Sequence, residues 1–494
     1  MTGTTPLPDA KQYATELVRT LRERGHRAYF AGGCVRDLLL GREPADYDVA
    51  TDATPQQVMG IFPRTLAVGE QFGVVLVPIS PSPQTLTGEG TLDDGATGAL
   101  ARPNEHEHRS NAIEVATFRS DVGYSDGRHP DEVRFTSDPR EDVQRRDFTI
   151  NGMLLDPLAL DPLTLDSTTL AATSLDKAPN PILDFVGGRA DLKAGIVRAI
   201  GEPERRFSED KLRMLRGVRF AARFGYQIDP ATFSAMTHLA PQIHQVSRER
   251  VRGELTQMLT EGRAQRAFQL LDESGLLREV LPEISAMKGV EQPPQYHPEG
   301  DVFVHTLLLL AKLPEGSSKT LAWGALLHDV GKPPTFRVAP DRIRFDGHVE
   351  IGVKMAAEIC RRLRFSNDET DQILALVDNH MRFGDVLRMK ESTLKKFLRL
   401  PAFDEHLELH RIDCLSSHGL LDAYNYASEQ LRSTPAEAMR PAPLITGDDL
   451  IAAGYQPGPR FKEILSAVED AQLEGRLASS EAAMEFVRRE FPVL

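Results

Sequence analysis

The 494-residue sequence predicts an α+β protein, in which strands and helices come first and a long, almost wholly helical part follows. Short β-rich apolar runs occur at residues 28–31, 72–79 and 111–118, which is typical of strands. From about residue 263 onward, apolar residues recur instead at helical spacing. A chain of this length is too long for one ordinary core, so two to four domains are expected.

The composition is that of a soluble globular protein, with 41% hydrophobic and 26% charged residues. The formal net charge of −14 argues against a nonspecific nucleic-acid coat, although a local basic surface can still bind RNA. The three cysteines, Cys34, Cys360 and Cys414, lack Cys-x-x-Cys spacing, which fits a reduced cytoplasm and gives no thiolate zinc site. There is no leader-like start and no run of about 18 apolar residues, so neither secretion nor a membrane span is expected.

The first chemical signal lies in residues 29–52, where a short strand is followed by a glycine pair, a helical turn and an Asp-x-Asp motif. Gly32 and Gly33 let the backbone approach a ligand, and the helix N-terminus behind them is a natural seat for phosphate. Asp46 and Asp48 are two residues apart, so on a strand they share one face and can hold Mg²⁺ together. Alone, each motif is usually a turn or a solvated loop, but together they suggest nucleotidyl transfer.

This arrangement, Gly-Gly-x-Val-Arg-Asp followed by Asp-x-Asp, resembles the catalytic head of the class II tRNA nucleotidyltransferase and bacterial poly(A) polymerase family. The resemblance implies a polymerase-β-like nucleotidyltransferase head, a mixed sheet with helices. It also implies that Asp46 and Asp48 hold two Mg²⁺ ions. Gly33, Arg36 and Arg146 would position the triphosphate and the sugar.

A third carboxylate is expected on the strand at 111–118. Glu114 alternates there with Ile113 and Val115, so it can face the same side as the aspartate pair. By itself this pattern equally fits a surface glutamate on a half-buried strand. The family places a metal-binding and proton-accepting residue in Glu-Val-x-Thr-Phe-Arg, which Glu114–Arg119 matches, so the resemblance makes Glu114 the third catalytic carboxylate.

Residues 145–152, Arg-Arg-Asp-Phe-Thr-Ile-Asn-Gly, match a further family motif. Arg146 offers a fixed fork of donors that can reach a triphosphate or sugar, and Asp147 can accept from a ribose hydroxyl. The alternative is an Arg–Asp pair that only holds a turn.

A helix with an arginine stripe is predicted after residue 205, with Ser208 as its N-cap. Its apolar positions are Leu212, Leu215 and Val218, and its arginines are Arg213, Arg216 and Arg219. Such a stripe is usually solvated or salt-bridged. However, residues 189–223 contain ten basic and five acidic residues, so this acidic protein carries a local basic surface where RNA can bind.

The same segment matches the family's Glu-Asp-x-x-Arg motif through Glu209, Asp210 and Arg213. The resemblance implies that Asp210 and Arg213 read the Watson–Crick edge of the incoming base, replacing a nucleic-acid template. Arg donates and Asp accepts, which is the complement that C and A require. Glu209 would orient Arg213, whereas Arg216 and Arg219 would lie toward the phosphates.

A second chemical constellation lies in the helical part and resembles the HD metal-dependent phosphohydrolase superfamily. Its core residues are His305, His328, Asp329 and Asp413, and His348 and His380 fit the longer set that supports two ions. Imidazole and carboxylate groups on separate helices can converge on a divalent ion of unspecified identity. Lys332 either holds a phosphate or lies on the surface.

The chain order suggests four segments with two low-apolar insertions. These are a head at 1–188 with insertions at about 81–110 and 157–181, a helical neck at 189–262, a helical body at 263–435 with an HD domain at about 300–420, and a helical tail at 436–494. The first insertion contains His106-Glu-His108, which is more typical of a solvated loop than of a metal site. The tail resembles the C-terminal arm of tRNA nucleotidyltransferases.

The leading hypothesis is a cytoplasmic enzyme that adds C and A from CTP and ATP to the 3′ end of tRNA. A poly(A) polymerase or A-adding enzyme is the alternative in the same class, because the base-reading motif is shared. A phosphohydrolase with an RNA-binding head is a rival from another class, and the intact head carboxylates argue against it. An alarmone synthetase–hydrolase would place its HD domain first, whereas this chain places it second.

Overall fold

The computed structural model describes residues 9–67, 72–79, 112–123, 132–159, 180–295, 297–298 and 300–492. The predicted insertion at 81–110, with its His-Glu-His cluster, and most of the insertion at 157–181 lie outside these ranges. The chain divides into two compact units between Ser247 and Arg248, with residues 274–276 counted in the first. The four-part division remains a prediction.

The first unit is built around a mixed seven-stranded sheet, which confirms the predicted α+β class. Its strands are β1 (Ala28–Ala31), β2 (Asp48–Thr51), β3 (Leu66–Ala67), β4 (Val74–Pro78), β5 (Ala112–Thr117), β8 (Met153–Leu155) and β9 (Ile182–Asp184). They lie in the order β3-β4-β5-β2-β1-β8-β9. β2 and β5 pair in parallel, and the other neighbours in this sheet pair antiparallel.

The remaining strands of the first unit form two small pairs. β6 (Arg119–Val122) pairs antiparallel with β7 (Glu132–Phe135), and β10 (Ile196–Val197) pairs in parallel with β11 (Gln227–Ile228).

Side-chain alternation along β5 decides which face carries chemistry. Ile113, Val115 and Thr117 are buried, whereas Glu114 lies on the opposite, partly exposed face. On the next strand, β4 pairs with β5 from Val74 opposite Ala116 to Pro78 opposite Ala112. Because β5 has a paired strand on each side, this register fixes the position of Glu114 within the sheet, away from the sheet edges.

The helices of the first unit flank and extend this sheet. They are Ala10–Glu23, Gly33–Leu39, Pro55–Ile61, Pro139–Gln144, Gly188–Ala194, Pro203–Glu209, Leu212–Phe224 and Pro230–Leu239, with 3₁₀ segments at Thr149–Asn151, Pro157–Ala159 and Ala240–Gln245. The predicted N-cap at Ser208 is wrong, because Ser208 lies inside the helix that ends at Glu209. Asp210 is extended (φ −148°, ψ 108°), so a new helix begins at Leu212.

The second unit is helical apart from the two-residue strands β12 (Arg337–Val338) and β13 (Ile343–Arg344). Its helices are Arg248–Thr260, Ala264–Glu273, Leu276–Val280, Pro282–Ser285, Val302–Lys312, Lys319–Leu327, Lys332–Thr335, His348–Arg362, Asn367–Asn379, Glu391–Leu398, Phe403–Ser416, Asp422–Ser433, Ala436–Met439, Gly447–Ala452, Pro459–Leu473 and Ser480–Glu490, with a 3₁₀ segment at His380–Arg388. Among the described residues, no helix combines the length and apolar character that crossing a bilayer needs.

Candidate active sites

The structure brings two of the three predicted head carboxylates side by side. β2 begins at Asp48, and the parallel register of β2 with β5 sets Asp48 opposite Glu114. Asp46 precedes the strand and is exposed. Burial raises the pKa of Asp48 to about 7, and the negative charges of Glu114 and Asp46 contribute further to the shift. Repulsion of this kind is relieved by a divalent cation, so the donor set fits a hard metal ion.

Gly32 allows an arginine to approach these carboxylates. It has a φ of +74°, which favours glycine, and it directly precedes the helix Gly33–Leu39. A Cβ at Gly32 would lie 3.1 Å from Nη1 of Arg146 and 3.8 Å from Oδ2 of Asp48. Arg146 therefore places a positive charge beside Asp48, as a site for a triphosphate requires.

Arg146 is held by Asp142, a residue that no motif in the sequence marks. Oδ2 of Asp142 accepts from Nη2 of Arg146 at 3.0 Å and from Nε at 3.3 Å. Oδ1 of Asp142 accepts from Nη2 of Arg145 at 2.6 Å. The signal available in the sequence was the spacing, since the arginines follow Asp142 by three and four residues at the C-terminal end of the helix Pro139–Gln144.

Asp147 is joined to the helix Leu212–Phe224 rather than open to a ligand. Its Oδ2 accepts from Nε of Arg216 at 2.8 Å and from Nη2 at 2.7 Å. Its Oδ1 accepts from the backbone N–H of Phe148 at 2.7 Å and from Nδ2 of Asn151 at 3.2 Å. Burial opposes ionisation, but Arg216 and Arg213 outweigh it and lower the pKa of Asp147 to about 2. A ribose hydroxyl would have to displace one of these donors.

Arg36 is likewise committed within the protein. The side chain is buried, and Nη1 donates to Oδ1 of Asn151 at 2.7 Å while Nε donates to Asp37 at 2.9 Å. The guanidinium also lies 4.7 Å from the ring centre of Phe224 and 5.4 Å from that of Phe220. Arg36 thus ties the helix behind the glycine pair to the arginine-bearing helix, and its contact with triphosphate remains a prediction.

The predicted base-reading residues sit where the two helices meet at Asp210. Oε2 of Glu209 accepts from Nη1 of Arg213 at 2.9 Å and from Nη1 of Arg206 at 2.7 Å. Nη2 of Arg213 donates to the backbone carbonyl of Arg145 at 3.1 Å. Oδ1 of Asp210 accepts from the backbone N–H of Leu212 at 3.0 Å. These contacts fix the orientation of Arg213, the arrangement that base reading by a side chain needs.

The last arginine of the stripe is less accessible than the sequence suggested. Arg219 is buried, and its guanidinium lies 4.6 Å from the ring centre of Phe220. Arg216, which binds Asp147, keeps 35% of its side chain exposed. Of the two arginines expected at the phosphates, Arg216 is thus the one that solvent reaches more easily.

The second unit gathers all six predicted HD residues at one centre. They form two groups whose candidate ligand atoms lie within 4.8 Å of one another, and these groups are His305, His328 and Asp413, and Asp329, His348 and His380. Five separate segments supply them, because the helical bundle places its inward faces around a common point.

Three histidines of this centre are oriented with one ring nitrogen at a backbone carbonyl. Nδ1 of His328, His348 and His380 lies 2.9, 3.0 and 2.7 Å from the backbone carbonyls of Ala325, Phe345 and Val377, respectively. Each Nδ1 can donate there, which leaves Nε2 as an acceptor facing inward. Among the described residues, Nε2 of His348 and of His380 is buried and has no hydrogen-bond partner. These atoms fit a bound cation.

Charge at this centre is arranged around Asp329. Its carboxylate lies 3.1 Å from Nε2 of His328, and 3.9 and 3.8 Å from Nε2 of His348 and His380. Burial lowers the pKa of His380 to about 4, and the neighbouring His328 adds to the shift, so His380 is neutral near pH 7. Lys332 is buried, not on the surface, and its Nζ lies 2.8 Å from Asp329 and 2.7 Å from Oε1 of Gln292.

A cavity of about 400 Å³ opens onto the centre and is lined by basic residues that no motif revealed. Arg342 and Arg344 come from the hairpin of β12 and β13, and His297 packs edge-on against His305 with ring centres 4.9 Å apart. Phe345 and Met381 form an apolar part of the wall. Cationic groups beside a metal-type centre suit a phosphate ester.

Three family models match the chain. The poly A polymerase head domain matches residues 28–87 and 91–198, and the probable RNA and SrmB-binding site of polymerase A matches 225–288. The HD domain matches residues 302–406. The head carboxylates and Arg146 lie within the first match, and His305, His328, Asp329, His348 and His380 lie within the last. The segment from Glu209 to Arg219 and Asp413 lie outside the matched ranges.

Relatives align with the chain over about half of it or over nearly its whole length. The CCA-adding enzyme of Levilactobacillus brevis is 29% identical over 481 residues, which is 97% of each chain. That of Geobacillus stearothermophilus is 36% identical over 265 residues, 54% of this chain and 53% of the relative. The structure of the Bacillus stearothermophilus CCA-adding enzyme in complex with CTP superposes with a TM-score of 0.67 at 25% identity, covering 98% of this chain and 99% of that one.

Proposed function

The chain belongs to the class II tRNA nucleotidyltransferase and poly(A) polymerase family, and from that premise we propose that it adds C and A to the 3′ end of tRNA. CTP and ATP are the donors and pyrophosphate is released. The observation that carries the proposal is the setting of Arg213, which Glu209 and a backbone carbonyl hold in one orientation within the same unit as Asp48 and Glu114. A rigid arginine near a nucleotidyl-transfer site can select a base without a template.

CCA addition is favoured over polyadenylation by two features. Relatives that align over nearly the whole chain are named CCA-adding enzymes, and an HD domain follows the head. Bacterial poly(A) polymerases generally lack that domain and the tail. We also propose a cytoplasmic location, which a tRNA substrate and the three free, dispersed cysteines support.

In the reaction, the 3′ hydroxyl of the RNA attacks the α-phosphate of the nucleotide in line. Asp46 and Asp48, with Glu114, would hold Mg²⁺, which when bound neutralises phosphate charge and activates the hydroxyl. Glu114 would accept the proton from that hydroxyl. Arg146 directs Nη1 toward the same place and stabilises the charge that develops on the phosphates. Arg216 extends the positive surface toward the leaving pyrophosphate.

Base choice depends on Asp210 and Arg213. Arg213 donates to acceptors that C and A present, and Asp210 accepts from their exocyclic amino groups. At the position where C and A have an acceptor nitrogen, U and G carry an N–H donor. This N–H would face the guanidinium of Arg213, both groups would lack a hydrogen-bond partner, and UTP and GTP are therefore rejected. Glu209 is a positioning residue in this scheme, because it contacts Arg213 and not the nucleotide.

The test is incubation with tRNA that lacks its 3′ CCA, with each nucleoside triphosphate alone and in combination, followed by sequencing of the products. We expect C to be added first and A to follow it. Long A tails would instead identify a poly(A) polymerase, and A added only after an existing CC would identify an A-adding enzyme. Arg213→Ala should lose selectivity against UTP and GTP with little change in tRNA affinity.

The second unit supports a second activity, a metal-dependent phosphohydrolase. The two ligand groups around Asp329 and the basic cavity beside them carry this proposal. His328→Ala should remove the hydrolysis of phosphate esters and leave nucleotide addition intact. Asp48→Ala should do the reverse. Loss of both activities in either variant would contradict two independent sites.

A further inference from the structure

Asp142 is the most completely buried acidic side chain near the head site, with 1% of the residue exposed. It lies on the helix Pro139–Gln144, whose start is fixed by Pro139 and by Asp138, which accepts from the backbone N–H of Arg140. A carboxylate at this depth is stabilised only by close positive partners. Arg145 and Arg146 supply them, and Asp142 divides its two oxygens between the two residues.

The first arginine that Asp142 holds faces the reacting end of the site. Nε and Nη2 of Arg146 are both occupied by Oδ2 of Asp142. The edge that remains, Nη1, lies over Gly32 beside Asp48. Because a guanidinium is planar, the two hydrogen bonds from Nε and Nη2 to Asp142 also fix the direction in which Nη1 points. They prevent rotation of the guanidinium about the last side-chain bond.

The second arginine carries the contact to the base-reading residue. The backbone carbonyl of Arg145 accepts from Nη2 of Arg213 at 3.1 Å and from Nη1 of Arg206 at 3.3 Å. The side chain of Arg145 is anchored to Oδ1 of Asp142 through Nε at 2.9 Å and Nη2 at 2.6 Å. Arg145 therefore contacts Arg213 through its backbone carbonyl, while its side chain is held by Asp142.

We propose that Asp142 is a positioning residue that couples base selection to catalysis, holding Arg146 at the reacting phosphates and the Arg145 carbonyl at Arg213. This inference rests on the proposed nucleotidyl transfer. Asp142 touches neither nucleotide nor RNA in this role. One buried carboxylate sets the geometry of both ends, so a change there alters both rate and selectivity.

The test compares Asp142→Asn with Asp191→Asn as a matched control. Asp191 is also a buried aspartate of the first unit that binds an arginine, with Oδ2 3.0 Å from Nε of Arg198 and 2.7 Å from Oγ1 of Thr149. None of those partners is assigned to the site. Steady-state kinetics of CTP and UTP on tRNA lacking CCA, tRNA affinity and thermal unfolding are measured for both variants.

In Asp142→Asn we expect kcat for CTP to fall by about tenfold or more, because one donor to the developing charge is misaligned. The preference for CTP over UTP should fall as well, also by about tenfold. The affinity for tRNA should stay within about twofold. Asp191→Asn should lose thermal stability and keep both kinetic properties. Unchanged kcat and preference in Asp142→Asn, or equal losses in the two variants, would overturn the proposal.

The same comparison separates this inference from the proposed function. If the wild-type protein adds no nucleotide to tRNA, the proposed function is refuted, and arginine-directed labelling with phenylglyoxal still decides the role of Asp142. Labelling of Arg145 and Arg146 that increases in Asp142→Asn but not in Asp191→Asn would support the positioning. Equal labelling in both variants would refute it.

Discussion

Asp48 on β2 and Glu114 on β5 lie directly opposite each other in a parallel pair of strands, although β3 and β4 separate them in the chain. Adjacent residues on paired strands point to the same face, so two carboxylates are held side by side. The backbone, not a flexible loop, sets their separation. A cation-binding site on a sheet of this kind is preorganised before any ligand arrives.

The first prediction concerns pH and Mg²⁺. Because the folded pKa of Asp48 is raised to about 7, the metal-free protein binds more protons there than the unfolded chain between about pH 4 and pH 7. The contribution of Asp48 to the free energy of unfolding therefore falls as pH rises through that window. Mg²⁺ should restore it, so the rise in melting temperature caused by Mg²⁺ should be larger at pH 8 than at pH 5.5.

Asp48→Asn should abolish that pH dependence of the Mg²⁺ effect. Differential scanning fluorimetry with and without Mg²⁺ measures it, and Asp448→Asn, at an exposed position of the second unit, serves as the control. An equal Mg²⁺ effect at both pH values in the wild type would contradict the prediction.

The second prediction concerns the ion pair of Arg216 with Asp147. Arg216→Ala leaves a buried carboxylate without its main partner and should cost about 2 kcal/mol in urea unfolding, less than a fully buried pair because Arg216 is 35% exposed. Combining Asp147→Asn with Arg216→Gln should recover part of this loss. A double variant no more stable than Arg216→Ala would show that the carboxylate carries no such penalty.

The ion pair of Arg216 with Asp147 also predicts that the protein loses stability at low pH. The pKa of Asp147 is lowered to about 2, so its stabilisation is complete above the unfolded value of about 4 and is lost as pH falls toward 2. Acid titration of the wild type against Asp147→Asn, followed by circular dichroism, measures it. Identical acid transitions would contradict the assignment.

The third prediction concerns metal content of the second unit. With the head site removed by Asp48→Ala, we expect about two divalent ions per chain, since two ligand groups are present. His348→Ala in that background should retain about one ion, and Asp329→Ala should retain neither, because Asp329 lies within 4 Å of histidines from both groups. Elemental analysis after dialysis counts the ions, and a content unaffected by Asp329→Ala would refute the shared role.

The fourth prediction concerns the close approach at Gly331. A Cβ there would lie 2.1 Å from the carbonyl oxygen of His348 and 2.6 Å from the backbone nitrogen of Gly352. Gly331→Ala should therefore push the helix His348–Arg362 away from Asp329, destabilise the protein by about 2 kcal/mol and reduce phosphohydrolase activity. Gly253→Ala, where a Cβ meets nothing within 4 Å, should instead be neutral or slightly stabilising. Equal effects would contradict the steric argument.

The fold class could be predicted from the sequence, because its signals are local, whereas the membership of both sites stays a prediction. Period-two alternation allowed Glu114 to lie on the partly exposed face of its strand, where the structure has it, and the adjacency of His328 and Asp329 after an apolar helix marked that pair. The convergence of those two with distant histidines could be expected only through resemblance.

What the sequence did not reveal depends on pairings between distant residues. Asp142 looks like any acidic residue on a short helix until its arginines are seen. Arg36 has donors suited to phosphate, but its partners Asn151 and Phe224 come from other parts of the chain. The prediction that Ser208 is an N-cap was wrong because the helical spacing of the sequence continues across a break in the helix. The break is the extended residue Asp210.

The pairing of Pro78 with Ala112 has a consequence for how such a protein can diversify. β4 ends at Pro78 and β5 begins at Ala112, and because these two residues pair, the number of residues between them does not enter the register that opposes Asp48 to Glu114. The entropic cost of a longer connection grows only with the logarithm of its length. The number of residues between Pro78 and Ala112 can therefore change without altering the position of Asp48 relative to Glu114.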